Sequence, residues 1–308
     1  MKRFFLLTLA SAALLGASAA PVKTYEVKSP DGRLALVLTA GERLSFTVAR
    51  DGETLVAPSE MALTLSTGEV LGESPRVRSA RRRAVSETID APLYRQSRFD
   101  AAYNELDLRL RGDYGILARA YDDGVCYRFY TERDGELTIV DETAQLNFEG
   151  DPSAYIPYSK TEIPMRTSFE NTYEYAPLSK FRTQTVAFMP VLVDLGERGY
   201  VLYTESDVEA YPGVYLTYDK EAKGFAARFA ECPTETSLTK RFQDVVERSA
   251  DYIARVDGRR SYPWRIVAYA ATATELPVND MVWQTAEASR VADASWVRDG
   301  KIAWDWWN

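Results

Sequence analysis

The sequence contains no histidine among its 308 residues. This absence excludes every catalytic triad, general base and metal site that depends on a histidine side chain. Because the chain has only two cysteines, a structural zinc site is also strongly disfavoured. Any bound metal is therefore expected to be a hard cation held by oxygen ligands.

Cysteine is too scarce to form a disulfide scaffold. Cys126 lies between Val125 and Tyr127, a setting typical of a small buried apolar residue. A single Cys126–Cys232 bridge is the less favoured alternative, which export to an oxidising compartment would allow.

The chain also lacks a net positive charge, since 45 acidic residues outnumber 37 basic ones and the formal net charge is −8. Nucleic-acid binding requires a basic face, so this balance argues against it. The one basic cluster, at residues 81–83, is interpreted as a solvated strand edge or loop.

Long apolar runs are confined to the first 20 residues. Residues 1–20 combine a basic start, an apolar centre and small residues before the end, which is the pattern of a secretory signal peptide. The stretch is too short for an ordinary membrane span, although an N-terminal anchor is the alternative. We therefore predict an exported protein without a membrane span, periplasmic or otherwise outside the cytoplasm.

Short strands separated by glycine turns fill the rest of the sequence, and they predict an all-β fold, a large antiparallel β-sandwich. A single short helix is predicted at residues 279–288. The predicted strands are residues 23–28, 34–39, 44–49, 54–56, 61–65, 105–111, 115–121, 125–131, 185–194, 198–204, 225–229 and 262–270.

Residues 151–179 interrupt this rhythm with four prolines, four tyrosines and no clear period. Long irregular segments inside a domain are usually functional. Glu162, Glu170 and Glu174 are therefore candidates to face a cation, a sugar or a neighbouring domain. The alternative is a solvated loop that caps the sandwich.

The sequence ends on an aromatic run, residues 300–308, with the composition of a strand buried in a parallel sheet. Such a strand needs a partner reached through a crossover of about a dozen residues or more. We therefore expect residues 289–308 to be a linker and the first strand of a second domain, truncated here. The alternative is an exposed sheet edge.

Several motifs together resemble the N-terminal part of glycoside hydrolase family 97, a family of exported bacterial enzymes that act on α-glucosides or α-galactosides. The resemblance extends from about residue 23 to the end. The motifs, in chain order, are AYDDGVCYRF at 120–129, FENTY at 169–173 with PLS at 177–179, ESDVEAYPG at 205–213, PWR at 263–265, and SW at 295–296 leading to GKIAWDWWN at 300–308.

The resemblance implies a super-sandwich related to the galactose mutarotase fold, followed by a catalytic (β/α)₈ barrel. The implied organisation is a signal peptide at 1–20, the sandwich domain at 21–288 and the start of the barrel at 289–308. Glycoside hydrolysis requires two carboxyl groups, and the family carries both on the barrel. No catalytic residue is therefore assigned, and we expect this chain alone to be inactive towards an oligosaccharide substrate.

The resemblance also implies that the domain packs on the barrel and contributes one glutamate to a calcium site beside the active site. The family pattern around Tyr173 and residues 177–179 places that ligand at Glu170, with Glu174 as the runner-up. Because calcium takes several oxygen ligands, one carboxylate should bind it weakly or not at all.

Two other functions are considered. One is a stand-alone carbohydrate-binding β-sandwich that uses exposed aromatic side chains. The other is a sugar epimerase, which the resemblance to the mutarotase fold suggests. Enzymes that resemble mutarotases use a histidine side chain as an acid. The absence of histidine argues against that second function.

Overall fold

Antiparallel strands make up most of the regular structure. The computed structural model describes residues 22–91, 94–160, 170–238, 244–298 and 300–303. The strands are β1 (Lys23–Lys28), β2 (Leu34–Ala40), β3 (Leu44–Arg50), β4 (Glu53–Leu65), β5 (Val70–Leu71), β6 (Val77–Asp90), β7 (Arg98–Leu110), β8 (Tyr114–Tyr121), β9 (Gly124–Asn147), β10 (Ser153–Ile156), β11 (Glu174–Pro177), β12 (Ala187–Phe188), β13 (Val191–Asp194), β14 (Tyr200–Ser206), β15 (Tyr215–Asp219), β16 (Gly224–Arg228), β17 (Pro233–Leu238), β18 (Asp244–Ser249), β19 (Ala254–Ser261) and β20 (Trp264–Ala270).

Helical structure is sparse in the described ranges. One short helix, α1 (Met281–Thr285), follows the last strand. Three short stretches of 3₁₀ helix occur in the described residues, at Leu178–Lys180, Gly196–Arg198 and Ala273–Val278.

The strands form two layers that share β9. One layer has the order β6–β7–β8–β9–β20–β14–β13–β10–β11. The other has the order β1–β2–β3–β4–β9–β16–β15–β12. The first part of β9 pairs with β8 and β20, its middle pairs with β19, and its last part pairs with β4 and β16. This 24-residue strand therefore joins the two layers into one β-sandwich.

The core lies between the layers because successive strand residues point to opposite faces. Along β2, Leu34, Leu36 and Leu38 are fully buried while the residues between them are half-buried. β2 packs on β8 and β9, and β1 packs on β7 and β8. Burying one such leucine contributes roughly 1.5–3 kcal/mol, so this alternation is a main source of the fold's stability.

The predicted β-sandwich is confirmed. α1 lies inside the predicted helix at 279–288. The predicted strand 185–194 is divided into β12 and β13 at Met189–Pro190, where proline has no N–H to donate to a ladder. The arginines at 81–83 lie on the exposed strand β6, in agreement with the interpretation as a strand edge.

The two cysteines are not bridged. Cys126 is buried in the core and Cys232 is partly exposed, and both are free thiols. The assignment of Cys126 as a small buried residue therefore agrees with the structure.

Three sequence predictions fall outside the described residues: the signal peptide at 1–20, the candidate ligand Glu162 and the aromatic residues 304–307. The division into domains at 20 and 288 likewise stays a prediction. Among the helices that the structure does describe, none has the length and apolar character needed to cross a bilayer.

Candidate functional site

Glu170, the predicted metal ligand, is exposed on a segment whose backbone is tied to the sandwich. The next residue, Asn171, donates from Nδ2 to the carbonyl oxygen of Tyr158 at 2.7 Å. Two residues later, the Tyr173 hydroxyl donates to the carbonyl oxygen of Pro190 at 3.1 Å. The chain that follows Glu170 is therefore anchored at two points, which limits where its carboxylate can reach.

Glu174, the runner-up, is in a different environment. It begins β11, and its carboxylate forms an ion pair with Arg182. The Arg182 guanidinium also stacks on the Tyr158 ring, 4.8 Å from the ring centroid. A metal would have to compete with this arginine for the Glu174 carboxylate.

The described residues do not build a calcium site by themselves. Among them, no group of three or more aspartate, glutamate or cysteine side chains is placed to hold a metal. Calcium takes six to eight oxygen ligands. The assignment of Glu170 as a single contributed calcium ligand therefore stays a prediction.

Three tyrosines on β10, on β11 and directly before β11 are exposed, and we call them the tyrosine patch: Tyr155, Tyr173 and Tyr175. Their side chains are 38%, 45% and 53% exposed. Tyr155 and Tyr175 lie on the paired strands β10 and β11 with ring centroids 4.6 Å apart, and the Tyr175 hydroxyl donates to Asp194. Partly exposed aromatic rings next to a sheet edge are typical of an interaction surface.

A buried charge network lies at the centre of the sandwich. Arg265 of β20 donates from Nε and Nη2 to the two carboxylate oxygens of Glu142, at 2.9 and 2.8 Å. Its third nitrogen, Nη1, donates to Glu205 at 2.6 Å. Both carboxylates are bound to one guanidinium inside the core, and burial raises the pKa of Glu205. This trio therefore has the environment of a structural network rather than of a catalytic carboxyl pair beside a cleft.

The same network fixes the turn after β14. The other carboxylate oxygen of Glu205 accepts a hydrogen bond from the Val214 backbone N–H at 3.0 Å. A side chain at Gly213 would place its Cβ only 3.1 Å from that oxygen. The close approach explains a glycine in the ESDVEAYPG motif.

Residues 279–290, which we call the exit segment, are held against the outer face of the first layer. At one end, Asp280 accepts from the Tyr94 hydroxyl and from Arg95, and the Trp283 ring lies 4.5 Å from the Tyr94 ring. At the other end, Thr285 shares a hydrogen bond with Ser206. Contacts continue beyond it, because Asp207 accepts from the Glu287 N–H and Glu209 pairs with Arg290.

The comparison with known families identifies the chain. A family model described as "Glycosyl-hydrolase 97 N-terminal" matches residues 27–287. The chain belongs to glycoside hydrolase family 97. The resemblance seen in the sequence motifs is thereby confirmed.

Two relatives of this family 97 chain have related names. The chain is 36% identical over 294 residues to a "Retaining alpha-galactosidase" of Bacteroides thetaiotaomicron, covering 93% of this chain and 44% of that protein. It is 29% identical over 286 residues to a "Probable retaining alpha-galactosidase" of Streptomyces bingchenggensis, covering 90% of this chain and 39% of that protein. The chain thus spans about two fifths of the length of these relatives.

Solved structures support the fold. A family 97 enzyme of Pseudoalteromonas sp. strain K8, in complex with acarbose, superposes with a TM-score of 0.73 at 16% identity, covering 89% of this chain and 40% of that one. A β-arabinopyranosidase superposes with a TM-score of 0.65 at 19% identity, covering 80% of this chain and 40% of that one. At these identities the likeness concerns the fold of the domain.

Sequence reasoning found the Glu170 segment but missed the Arg265 network. The signal for it was present, since one arginine interrupts the apolar run of β20. A charge in a strand buried on both faces requires buried partners. Nothing in the local sequence shows that these are Glu142 and Glu205, which are 123 and 60 residues away.

Proposed function

We propose that this chain is the N-terminal β-sandwich domain of an exported glycoside hydrolase that acts on α-galactosides, with α-glucosides as the alternative substrate class. The observation that carries this proposal is the family match over residues 27–287, together with 36% identity to a protein named as a retaining α-galactosidase. Export rests on the signal-peptide pattern of residues 1–20.

In this proposal the domain supports catalysis without performing it. Retaining hydrolysis needs two carboxyl groups about 5–5.5 Å apart on either side of the scissile bond. The carboxyl groups that come together in the sandwich, Glu142 and Glu205, are both bound to the buried Arg265. The catalytic pair is therefore assigned to a (β/α)₈ barrel in the same protein.

The domain's contribution is a calcium ligand and a docking surface for that barrel. Glu170 is exposed, while Glu174 is already paired with Arg182, so Glu170 is the carboxylate available to a metal. The tyrosine patch includes Tyr173, three residues after Glu170 in the sequence, and supplies half-exposed aromatic area of the kind enriched at interfaces. When bound, calcium would supply positive charge beside the substrate. Glu170 would hold the calcium ion from the sandwich side.

The test is an activity comparison. Residues 21–308 and a longer protein that carries the same domain followed by its barrel are assayed with p-nitrophenyl α-galactoside and p-nitrophenyl α-glucoside. We expect turnover by the longer protein, with the galactoside preferred, and none by residues 21–308. Turnover by residues 21–308 that a substitution of one of their own carboxylates abolishes would overturn the proposal.

A further inference from the structure

A cavity of 910 Å³ opens beside β15 and β16, at the base of the β17–β18 hairpin. It is on the same scale as small-molecule sites, which are on the order of 300–1,000 Å³. The residues that matter for its chemistry are Tyr211, Thr217, Arg228, Phe229, Glu231 and Cys232. None of them belongs to the Glu170 segment or to the tyrosine patch.

Two fixed aromatic rings form part of the cavity wall. Tyr211 and Phe229 pack edge to face, with ring centroids 6.1 Å apart and planes 73° apart. Behind them, the Arg265 guanidinium stacks on Phe229, and Tyr262 packs on Tyr211 at 5.5 Å. The rings are therefore held in place before any ligand arrives, which lowers the entropy lost on binding.

Two charged side chains at the cavity are unpaired. Arg228 and Glu231 are both exposed, and within the described residues neither forms a hydrogen bond or an ion pair through its side chain. Arg255 also lines the cavity, but its charge is already paired with Glu136 at 3.3 Å. A guanidinium presents several N–H donors in a fixed fork, and a carboxylate presents acceptors only. One charge of each sign favours a neutral ligand that both donates and accepts hydrogen bonds.

We propose that this cavity binds a neutral oligosaccharide of two or three sugar rings. Adjacent hydroxyl groups of a sugar can accept from the Arg228 fork and donate to Glu231, while the apolar C–H face of a ring packs against the aromatic wall. The Thr217 hydroxyl, which makes only a long 3.4 Å bond to Ala226, is a further donor and acceptor. This role rests on the proposed function: the cavity would hold substrate chains near the enzyme.

Calorimetric titration of the full chain with raffinose, an α-galactosyl trisaccharide, and with maltotriose tests the proposal. We expect saturable binding of at least one sugar with a Kd on the order of 1 mM. Arg228→Ala should weaken that binding at least tenfold. Arg81→Ala is the matched control, because Arg81 is also exposed and lies in a different groove, and it should leave the Kd unchanged.

A second measurement uses the native thiols and needs no substitution. Cys232 lines the cavity and is partly exposed, whereas Cys126 is fully buried and serves as the internal control. Saturating sugar should slow the alkylation of Cys232 by N-ethylmaleimide several-fold, and Cys126 should stay unmodified with and without sugar. The proposal is overturned if neither sugar gives saturable heat, or if sugar binds with equal Kd to Arg228→Ala and leaves the Cys232 rate unchanged.

Discussion

Arg265 in β20 of the first layer and Glu142 in the part of β9 that pairs with β4 of the second layer share two hydrogen bonds, with 1% and 4% of their side chains exposed. The pair therefore links the two layers of the sandwich. Glu205 of β14, directly opposite Arg265 in the neighbouring strand, also accepts from this guanidinium. The two layers are thus connected through one guanidinium, and this connection has measurable consequences.

The first prediction concerns this guanidinium. Arg265→Met would leave the Glu142 and Glu205 carboxylates buried without the guanidinium that balances their charge, and breaking a buried pair in this way costs about 3–5 kcal/mol. We expect the free energy of unfolding, measured by urea denaturation at pH 7, to fall by that amount. The control is Arg259→Met, whose exposed ion pair with Asp134 is screened by solvent and should contribute far less. Equal losses for the two variants would show that the buried network adds no stability.

The second prediction concerns the pH dependence of stability at Asp123, in the turn before β9. Burial raises the pKa of this carboxyl from 3.8 to about 6, and the neighbouring Asp280 and Asp122 add to the effect. Because the folded state holds the proton more tightly, the resulting stability is complete below pH 3.8 and is lost as the pH rises through about 6. Asparagine cannot ionise. The free energy of unfolding of the Asp123→Asn variant should therefore exceed that of the wild type by at most about 3 kcal/mol at pH 7, and by little at pH 4.

Asp151 provides a control of opposite sign. Its hydrogen bonds from the Ser179 hydroxyl and N–H lower its pKa, so its contribution to stability is present at neutral pH and is lost as the pH falls through that lowered value. Asp151→Asn should therefore reduce stability at pH 7. Parallel pH profiles for the Asp123→Asn and Asp151→Asn variants would contradict both assignments.

The third prediction separates the two candidate metal ligands, in the longer protein that contains the barrel. Glu170→Gln should lower calcium affinity at least tenfold, because ligand charge tunes the strength of a calcium site. Glu174→Gln should change it much less, since that side chain is paired with Arg182. Calcium titrations followed by calorimetry measure this directly. Identical calcium affinities for wild type and Glu170→Gln would reject Glu170 as a ligand.

The sequence predicts strands well where apolar and polar residues alternate. It predicts them poorly where contacts between distant parts of the chain determine where a strand begins and ends. β1 has the predicted bounds, residues 23–28. The strand predicted at 125–131 instead continues to Asn147 as β9, because Gly135 and a bulge at Gly258 in β19 let the two backbones approach closely. The β17–β18 hairpin was missed because its residues are almost all exposed and show no apolar period.

The residues of the candidate sites differ in the same way. Glu170 is selected by a local motif and stays a prediction, whereas the ion pair between Glu174 and Arg182 is visible only in the fold. The cavity wall combines Tyr211 with Phe229, which are 18 residues apart in the sequence, and no local pattern marks those rings as neighbours.

The last prediction concerns the exit segment. Trp283→Ala removes the ring that packs on Tyr94, an aromatic contact of about 0.5–1.5 kcal/mol beyond the area it buries. Residues 279–290 should then open more often, and trypsin should cleave after Arg290 roughly three to ten times faster, because cleavage follows the population of the open state. The melting temperature should change by less than about 2 °C, since the core between the layers is untouched. Trp296→Ala is the matched control, because Trp296 is 74% exposed and should leave cleavage after Arg290 unchanged. A large fall in melting temperature for Trp283→Ala would instead make the exit segment an integral part of the sandwich.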